Sequence, residues 1–253
     1  MTFKITNIEK EIIERFDKNI RGKTADTSAS KSGHDGKRGH WLEHQMGIKP
    51  NASKSPDLLG YEMKDMSPKI TFGDWSPSTA IWKGKAAVLS RRKFLMTFGQ
   101  PNPQKDDRYS WSGKPCPLIK GFNDFGQILR VDKEGNINAL YSYSKDSRRH
   151  KKAIIPKDLQ VDDLVLATWK MEKMKKHVEK KFNDRGWISF IVDKQGIYKQ
   201  IVFGSPINFE MWIEGVRSGA VFFDSGMYEG NPRPYSQWRA NHAFWDLLVV
   251  HKH

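Results

Sequence analysis

Asp57, Glu62 and Lys64 stand close together in Pro56-Asp57-Leu58-Leu59-Gly60-Tyr61-Glu62-Met63-Lys64, and their types suit work on a phosphate. Side chains alternate along a strand, so Glu62 and Lys64 project from one face. Asp57 precedes them across Gly60, whose freedom in φ lets the chain bend and return the carboxylate toward Glu62. Two converging carboxylates make a site for a hard, oxygen-loving cation such as magnesium. Such a cation stabilises charge growing on a phosphodiester and lowers the pKa of a bound water. A lysine beside the carboxylates can hold that water and offset anionic charge. The same three residues also suit a plain surface ion pair on an ordinary strand.

Other chemistry-bearing residues are more dispersed. His40 and His44 straddle Glu43 at a helical i, i+4 spacing, but no third zinc ligand is evident, and a phosphate contact or surface role suits them better. The segment from Glu229 to His242 holds Arg233, Gln237, Arg239, Asn241 and His242. Arginine can pair bidentately with guanine, and Asn or Gln with adenine, in the major groove, although a solvated turn with an arginine salt bridge fits equally. Arg148, Arg149 and Lys151 lie in a basic run suited to a phosphate backbone. The lysines at 173, 175, 176, 180 and 181 read as the wet face of a helix, with a contribution to a DNA-facing field as the alternative. His251 and His253 read as inert.

The elements that must position these groups follow from periodicity. Ile8, Ile12, Ile13, Phe16 and Ile20 predict an amphipathic helix over residues 6–20. Residues 21–38 are rich in Gly, Ser, Thr, Lys and Asp and read as a solvated loop, before a short helix from Gly39 to Met46 that stops at Gly47. Residues 99–117 read as a long loop or lobe junction. Strands are expected over 126–132 and 138–143, then a helix over 158–182 on Leu164, Ala167, Met171, Met174 and Val178. A hairpin over 187–193 and 198–203, a helix over 207–217, and two closing strands over 220–228 and 242–250 joined by a polar loop complete the reading. The order is mixed α/β without internal repeats.

The 253 residues include 43 Lys plus Arg against 29 Asp plus Glu, a net charge of +14. That surplus favours a polyanionic partner, because each neutralised phosphate releases condensed counterions. A single cysteine, Cys116, excludes a disulfide framework and a thiolate metal cluster. The N-terminal residues lack the apolar run of a signal peptide and no stretch is long and apolar enough to span a bilayer, so a cytoplasmic location is expected.

The block from Gly39 to Ile48, with Glu43 in its centre, is followed by Asn51 and then by the Pro-Asp-…-Glu-x-Lys strand. Downstream, Glu214 to Gly219 leads into Val221 to Tyr228 and then to Arg239 through Trp245. These blocks resemble the MvaI and BcnI group of type II restriction endonucleases, related to MutH within the PD-(D/E)XK nuclease superfamily. They cover roughly a quarter of the chain, and the polar loop has fewer histidines than MvaI. The resemblance implies an α/β fold with a mixed central sheet flanked by helices, and two lobes around a DNA cleft. It implies a catalytic lobe over residues 1–98 and a recognition lobe over 99–253, with interleaving. It carries over Asp57 and Glu62 as magnesium ligands, Lys64 as the catalytic lysine and Glu43 as an auxiliary acid. A sequence-specific, magnesium-dependent nuclease cutting double-stranded DNA is then expected, acting as a monomer, with a methyltransferase protecting the host. A MutH-like nicking enzyme and a non-catalytic DNA-binding protein on the same fold are the competing expectations.

Overall fold

A computed structural model describes residues 5–28, 36–48, 55–65, 69–85 and 87–253. Asn51 and residues 29–35 of the glycine- and serine-rich stretch lie outside the described residues. In chain order the elements begin with α1 (Asn7–Asn19), α2 (Lys37–Gln45), β1 (Tyr61–Met63), β2 (Ile70–Asp74), β3 (Thr79–Ala80), α3 (Arg91–Phe98), β4 (Gln100–Asn102), β5 (Arg108–Trp111), β6 (Phe125–Val131) and β7 (Ile137–Asp146). They continue with α4 (Lys151–Ile154), β8 (Leu164–Trp169), α5 (Met171–Phe182), β9 (Gly186–Val192), β10 (Tyr198–Gly204), α6 (Phe209–Ser218), β11 (Val221–Tyr228), β12 (Tyr235–Ala240), α7 (His242–Asp246) and β13 (Val249–Lys252). No helix among the described residues is long and apolar enough to cross a membrane.

The chain divides into two compact units, each assembled from separate segments. The first comprises Met1–Ile70, His177–Asn208 and Asn241–His253; the second comprises Thr71–Lys176 and Phe209–Ala240.

In the first unit a four-stranded sheet has the order β1-β9-β10-β13, with β1 parallel to β9 and the other pairings antiparallel. Thr6 starts α1 with a reciprocal cap, its hydroxyl accepting from the Glu9 amide while the Glu9 carboxylate accepts from the Thr6 amide. The apolar spacing of α1 then buries Ile12, Ile13 and Phe16. They pack with Leu42 of α2, with Met46 at its C-terminal cap, and with Ile188, Phe190, Ile201 and Phe203 of the sheet. Each such large side chain contributes about 1.5–3 kcal/mol on burial. Glu9 is itself buried and accepts from the Tyr61 hydroxyl at 3.2 Å. Burial pushes its carboxyl up, but the Thr6 bonds and His251 outweigh burial and hold it below the usual range. The reading of the terminal histidines as inert is therefore corrected: His251 lies 3.2 Å from Glu9 and stacks on Phe203, and His253 lies 3.2 Å from Asp17.

The second unit holds a five-stranded sheet, β2-β12-β11-β5-β4, and a four-stranded one, β3-β8-β7-β6. Its core is aromatic: Trp169 packs edge-on against Phe223 and Trp238, and its indole N–H donates to the Trp75 carbonyl at 2.7 Å. Cys116 is buried and its thiol donates to the Phe223 carbonyl, as expected of a packed small side chain.

Four expected elements differ. The helix over 158–182 is confined to α5, because 164–169 pairs with β7 as β8 and buries Leu166, Ala167 and Trp169. The loop over 99–117 contains β4 and β5, paired with each other and carried onto β11. The polar loop after β11 returns as β12, in register from Val221 opposite Ala240 to Gly226 opposite Tyr235. The last expected strand begins as α7, because the Asn241 side chain accepts from the Phe244 amide and caps a helical turn; only 249–252 is strand. The helices at α1, α2 and α6 and the β6–β7 and β9–β10 hairpins follow the sequence pattern.

Candidate active site

Local geometry explains the five-residue step from Asp57 to Glu62. Leu58 and Tyr61 exchange both backbone hydrogen bonds, at 2.9 and 2.8 Å, around a two-residue turn. Leu59 and Gly60 there have φ of 49° and 89°, the pair of positive values that a tight hairpin turn of this hand requires. With Leu58 opposite Tyr61, Asp57 falls opposite Glu62. Its Oδ2 accepts from the Met63 amide at 3.0 Å, which fixes the carboxylate over the strand. The left-handed φ is what calls for glycine at 60; a Cβ there would also stand 2.5 Å from Asp184 Oδ2 and 2.9 Å from Arg185 Cδ, side-chain atoms that can move aside.

β1 is the edge strand of the first unit's sheet, paired with β9, with Glu62 opposite Trp187 and the Lys64 amide donating to the Ile188 carbonyl at 2.8 Å. Glu62 is 1% exposed. Lys64 Nζ donates to its Oε1 at 2.7 Å. Lys181 Nζ, from the last turn of α5, lies 2.9 Å from the same oxygen. Among the described residues, the buried Glu62 Oε2 has no hydrogen-bond partner. Periodicity assigned Lys181 to a solvent-facing set of lysines; its contact with Glu62 is what reveals its place in the cluster. The next residue, Phe182, is fully buried and places its ring 5.1 Å from Lys64 Nζ.

The electrostatics are those of a cluster with unbalanced demands. Burial pushes the Asp57 carboxyl up to about 6, helped by the negative charge of Glu62 and opposed by the Met63 amide and the two lysines. Burial lowers the Lys64 ammonium; Glu62 works to raise it and Lys181 to lower it further. Glu43, half-buried on α2, is raised by burial and by Glu62 against the pull of His40, Lys181 and Lys64. Glu43 is thus within electrostatic reach of the others. Arg38, one helical turn before it, is bound to Asp65 through two hydrogen-bonded contacts of 2.7–2.8 Å, which ties α2 to the end of the Asp57–Lys64 segment.

These residues fit a divalent cation. A buried carboxylate oxygen with no donor, next to a carboxylate whose ionisation is resisted by its neighbour, is the arrangement that a bound cation satisfies. Among the described residues no three His, Cys, Asp or Glu side chains gather closely enough to cage an ion. Magnesium suits that sparse donor set, since it commonly takes one or two carboxylates and completes its shell with water and substrate phosphate.

The residues singled out for nucleic-acid contact are distributed differently. Gln237 and Arg239 lie on the half-exposed face of β12, and Arg239 Nε bonds to Gln237 Oε1 at 3.1 Å and reaches Asp224 of β11 at 3.2 Å. Asp224, directly opposite Gln237, was not singled out in the sequence; strand alternation after Phe223 was the available signal. Arg233 pairs with Asp74 at 2.7 Å with its side chain mostly exposed. Asn241 is committed as the cap of α7, and His242 is exposed beside it. Arg148 is engaged internally, with Asp146 and the Thr97 carbonyl. Lys151 donates to the Tyr143 carbonyl at 2.8 Å, and Arg149 is exposed.

Residues 20–253 match the family described as LlaMI restriction endonuclease. The type II restriction enzyme ScrFI of Lactococcus lactis subsp. cremoris is 43% identical over 266 residues, covering 97% of this chain and 98% of that enzyme. Among solved structures, a restriction endonuclease MvaI–cognate DNA substrate complex is similar in fold, with a TM-score of 0.60 at 12% identity over 100% of this chain and 98% of that one.

Proposed function

Since the chain belongs to the LlaMI restriction endonuclease family and is a type II, site-specific deoxyribonuclease, we propose that it cuts duplex DNA at a single magnesium centre built on Asp57, Glu62 and Lys64. The observation that carries this reading is the buried Glu62 carboxylate, with one oxygen held by lysines and the other without a donor. Enzymes of this class generally use divalent metal ions. Magnesium held by Asp57 and Glu62 would stabilise charge on the scissile phosphate and make a bound water more acidic. Lys64 would orient the attacking water and donate to the scissile phosphate. Glu43 would add negative potential beside these carboxylates, a role supported by its electrostatic coupling to Glu62 and the two lysines.

Sequence reading is assigned to the second unit through Arg239, Gln237 and Arg233, with Asn241 and His242 following directly in sequence. Arg148, Arg149 and Lys151 are assigned to phosphates, Arg149 being the one whose exposure favours it most. The basic surplus supports a DNA partner. The protein works in the cytoplasm as a monomer beside a protecting methyltransferase. Purified protein incubated with supercoiled plasmid and magnesium should give discrete double-strand fragments whose mapped ends define one target. Nicked circles alone would favour a MutH-like enzyme, and binding without any cutting would favour a non-catalytic DNA-binding protein.

A further inference from the structure

Glu62 carries one negative charge, yet two ammonium groups sit within 3 Å of a single one of its oxygens, Lys64 at 2.7 Å and Lys181 at 2.9 Å. Both ammoniums also act on Asp57 and Glu43 at longer range, yet their ion-pair contacts converge on Glu62. That placement is specific, because both lysines share Oε1 and, among the described residues, Oε2 has no donor. The two lysines also differ in mounting. Lys64 is nearly buried and follows the strand that carries the cluster, whereas the Lys181 side chain is 27% exposed and arrives from the end of α5. That helix end is fixed, since Phe182 is fully buried and its carbonyl accepts from the Ile207 amide at 3.1 Å.

We propose that Lys181 is a positioning residue that holds Glu62 by Oε1, so that Lys64 can leave Glu62 for the reacting water and phosphate while Oε2 stays aimed at the metal. Without Lys181, Lys64 would be the ammonium left on Glu62 Oε1 among the described residues. Pulling it away would strip a buried carboxylate oxygen of its donor, a cost above that of breaking an exposed pair. Lys181 thereby lets one lysine serve the reaction without unbalancing the site. The proposal rests on the assignment of Glu62 and Lys64 to catalysis.

The test compares Lys181→Met and Lys181→Arg with the unaltered protein and with Glu62→Ala. Single-turnover cleavage at saturating magnesium should fall about 10- to 100-fold in Lys181→Met, the range typical for loss of a group that orients a metal ligand. KM for the plasmid should change less than about threefold, and Lys181→Arg should recover most of the rate. Duplex affinity and its salt dependence, measured without metal, should match the unaltered protein. A weakened metal-free affinity with a salt slope lower by about one would make Lys181 a phosphate contact and overturn the proposal. So would an unchanged cleavage rate, or a loss explained by a melting temperature below that of the assay. If Glu62→Ala still cuts, the catalytic assignment itself has failed; if Glu62→Ala is inactive and Lys181→Met is normal, only the role of Lys181 has.

Discussion

Asp57→Asn should stabilise the metal-free protein while abolishing its cleavage. Burial and the charge of Glu62 push the Asp57 carboxyl from its ordinary 3.8 up to about 6. Each pKa unit corresponds to about 1.4 kcal/mol, so keeping Asp57 ionised costs the fold at most about 3 kcal/mol at neutral pH. Partial solvent access reduces this to about 1–2 kcal/mol, or about 2–8 °C in melting temperature for a chain of this size. Asparagine retains an acceptor for the Met63 amide, so the turn is preserved. The sign follows from the raised value. Below about pH 4 both folded and unfolded wild type are protonated, and variant and wild type should melt together. As pH rises through about 6 the wild type loses stability relative to the variant, and the gap is complete above that. Melting curves from pH 3.5 to 8 in a chelator measure it. Magnesium should then close the gap by stabilising the wild type alone. A variant that melts at or below the wild type at pH 7.5 in chelator would refute the claim that Asp57 is held in electrostatic tension for a cation.

Gly60→Ala should lower melting temperature by about 2–8 °C, because a left-handed φ costs a non-glycine residue about 1–2 kcal/mol. The neighbouring Asp184 and Arg185 side-chain ends can swing aside, so the backbone sets this floor. Cleavage should fall by up to about 100-fold as the Asp57 carboxylate shifts; unchanged melting and cleavage would show that the turn does not position it. Arg239→Ala should weaken binding to the cognate site by about 1–3 kcal/mol if the guanidinium leaves Gln237 and Asp224 to read a base edge. Competition binding with cognate and unrelated duplexes measures this, and an unchanged preference would confine Arg239 to an internal pair.

The clustering of Asp57, Glu62 and Lys64, proposed as the catalytic trio, was legible because its geometry is local. A two-residue turn and strand alternation set the Asp57, Glu62 and Lys64 relation within one short segment, although the positive φ of Leu59 was not foreseen. Glu43 came from resemblance alone, since nothing in its own helix says what its side chain faces. Lys181 was hidden because helical periodicity separates buried from exposed positions but cannot show that an exposed position meets a distant carboxylate. The helix expected over 158–182 failed for a related reason: Leu164 and Ala167 fit a helical stripe, yet pairing with β7 captured that segment into a sheet. The polar segment after β11 read as a loop because it holds Pro232 and Pro234, while Ser236, Trp238 and Ala240 beyond them carry the buried alternation of β12.

Cleavage and binding by Lys64→Ala, measured side by side on a plasmid and on a short cognate duplex, test the central claim most directly. The account predicts near-complete loss of cleavage at any magnesium concentration, with duplex affinity kept within a few-fold of wild type. A variant that still cuts at the wild-type rate would contradict the assignment of this cluster as the active site.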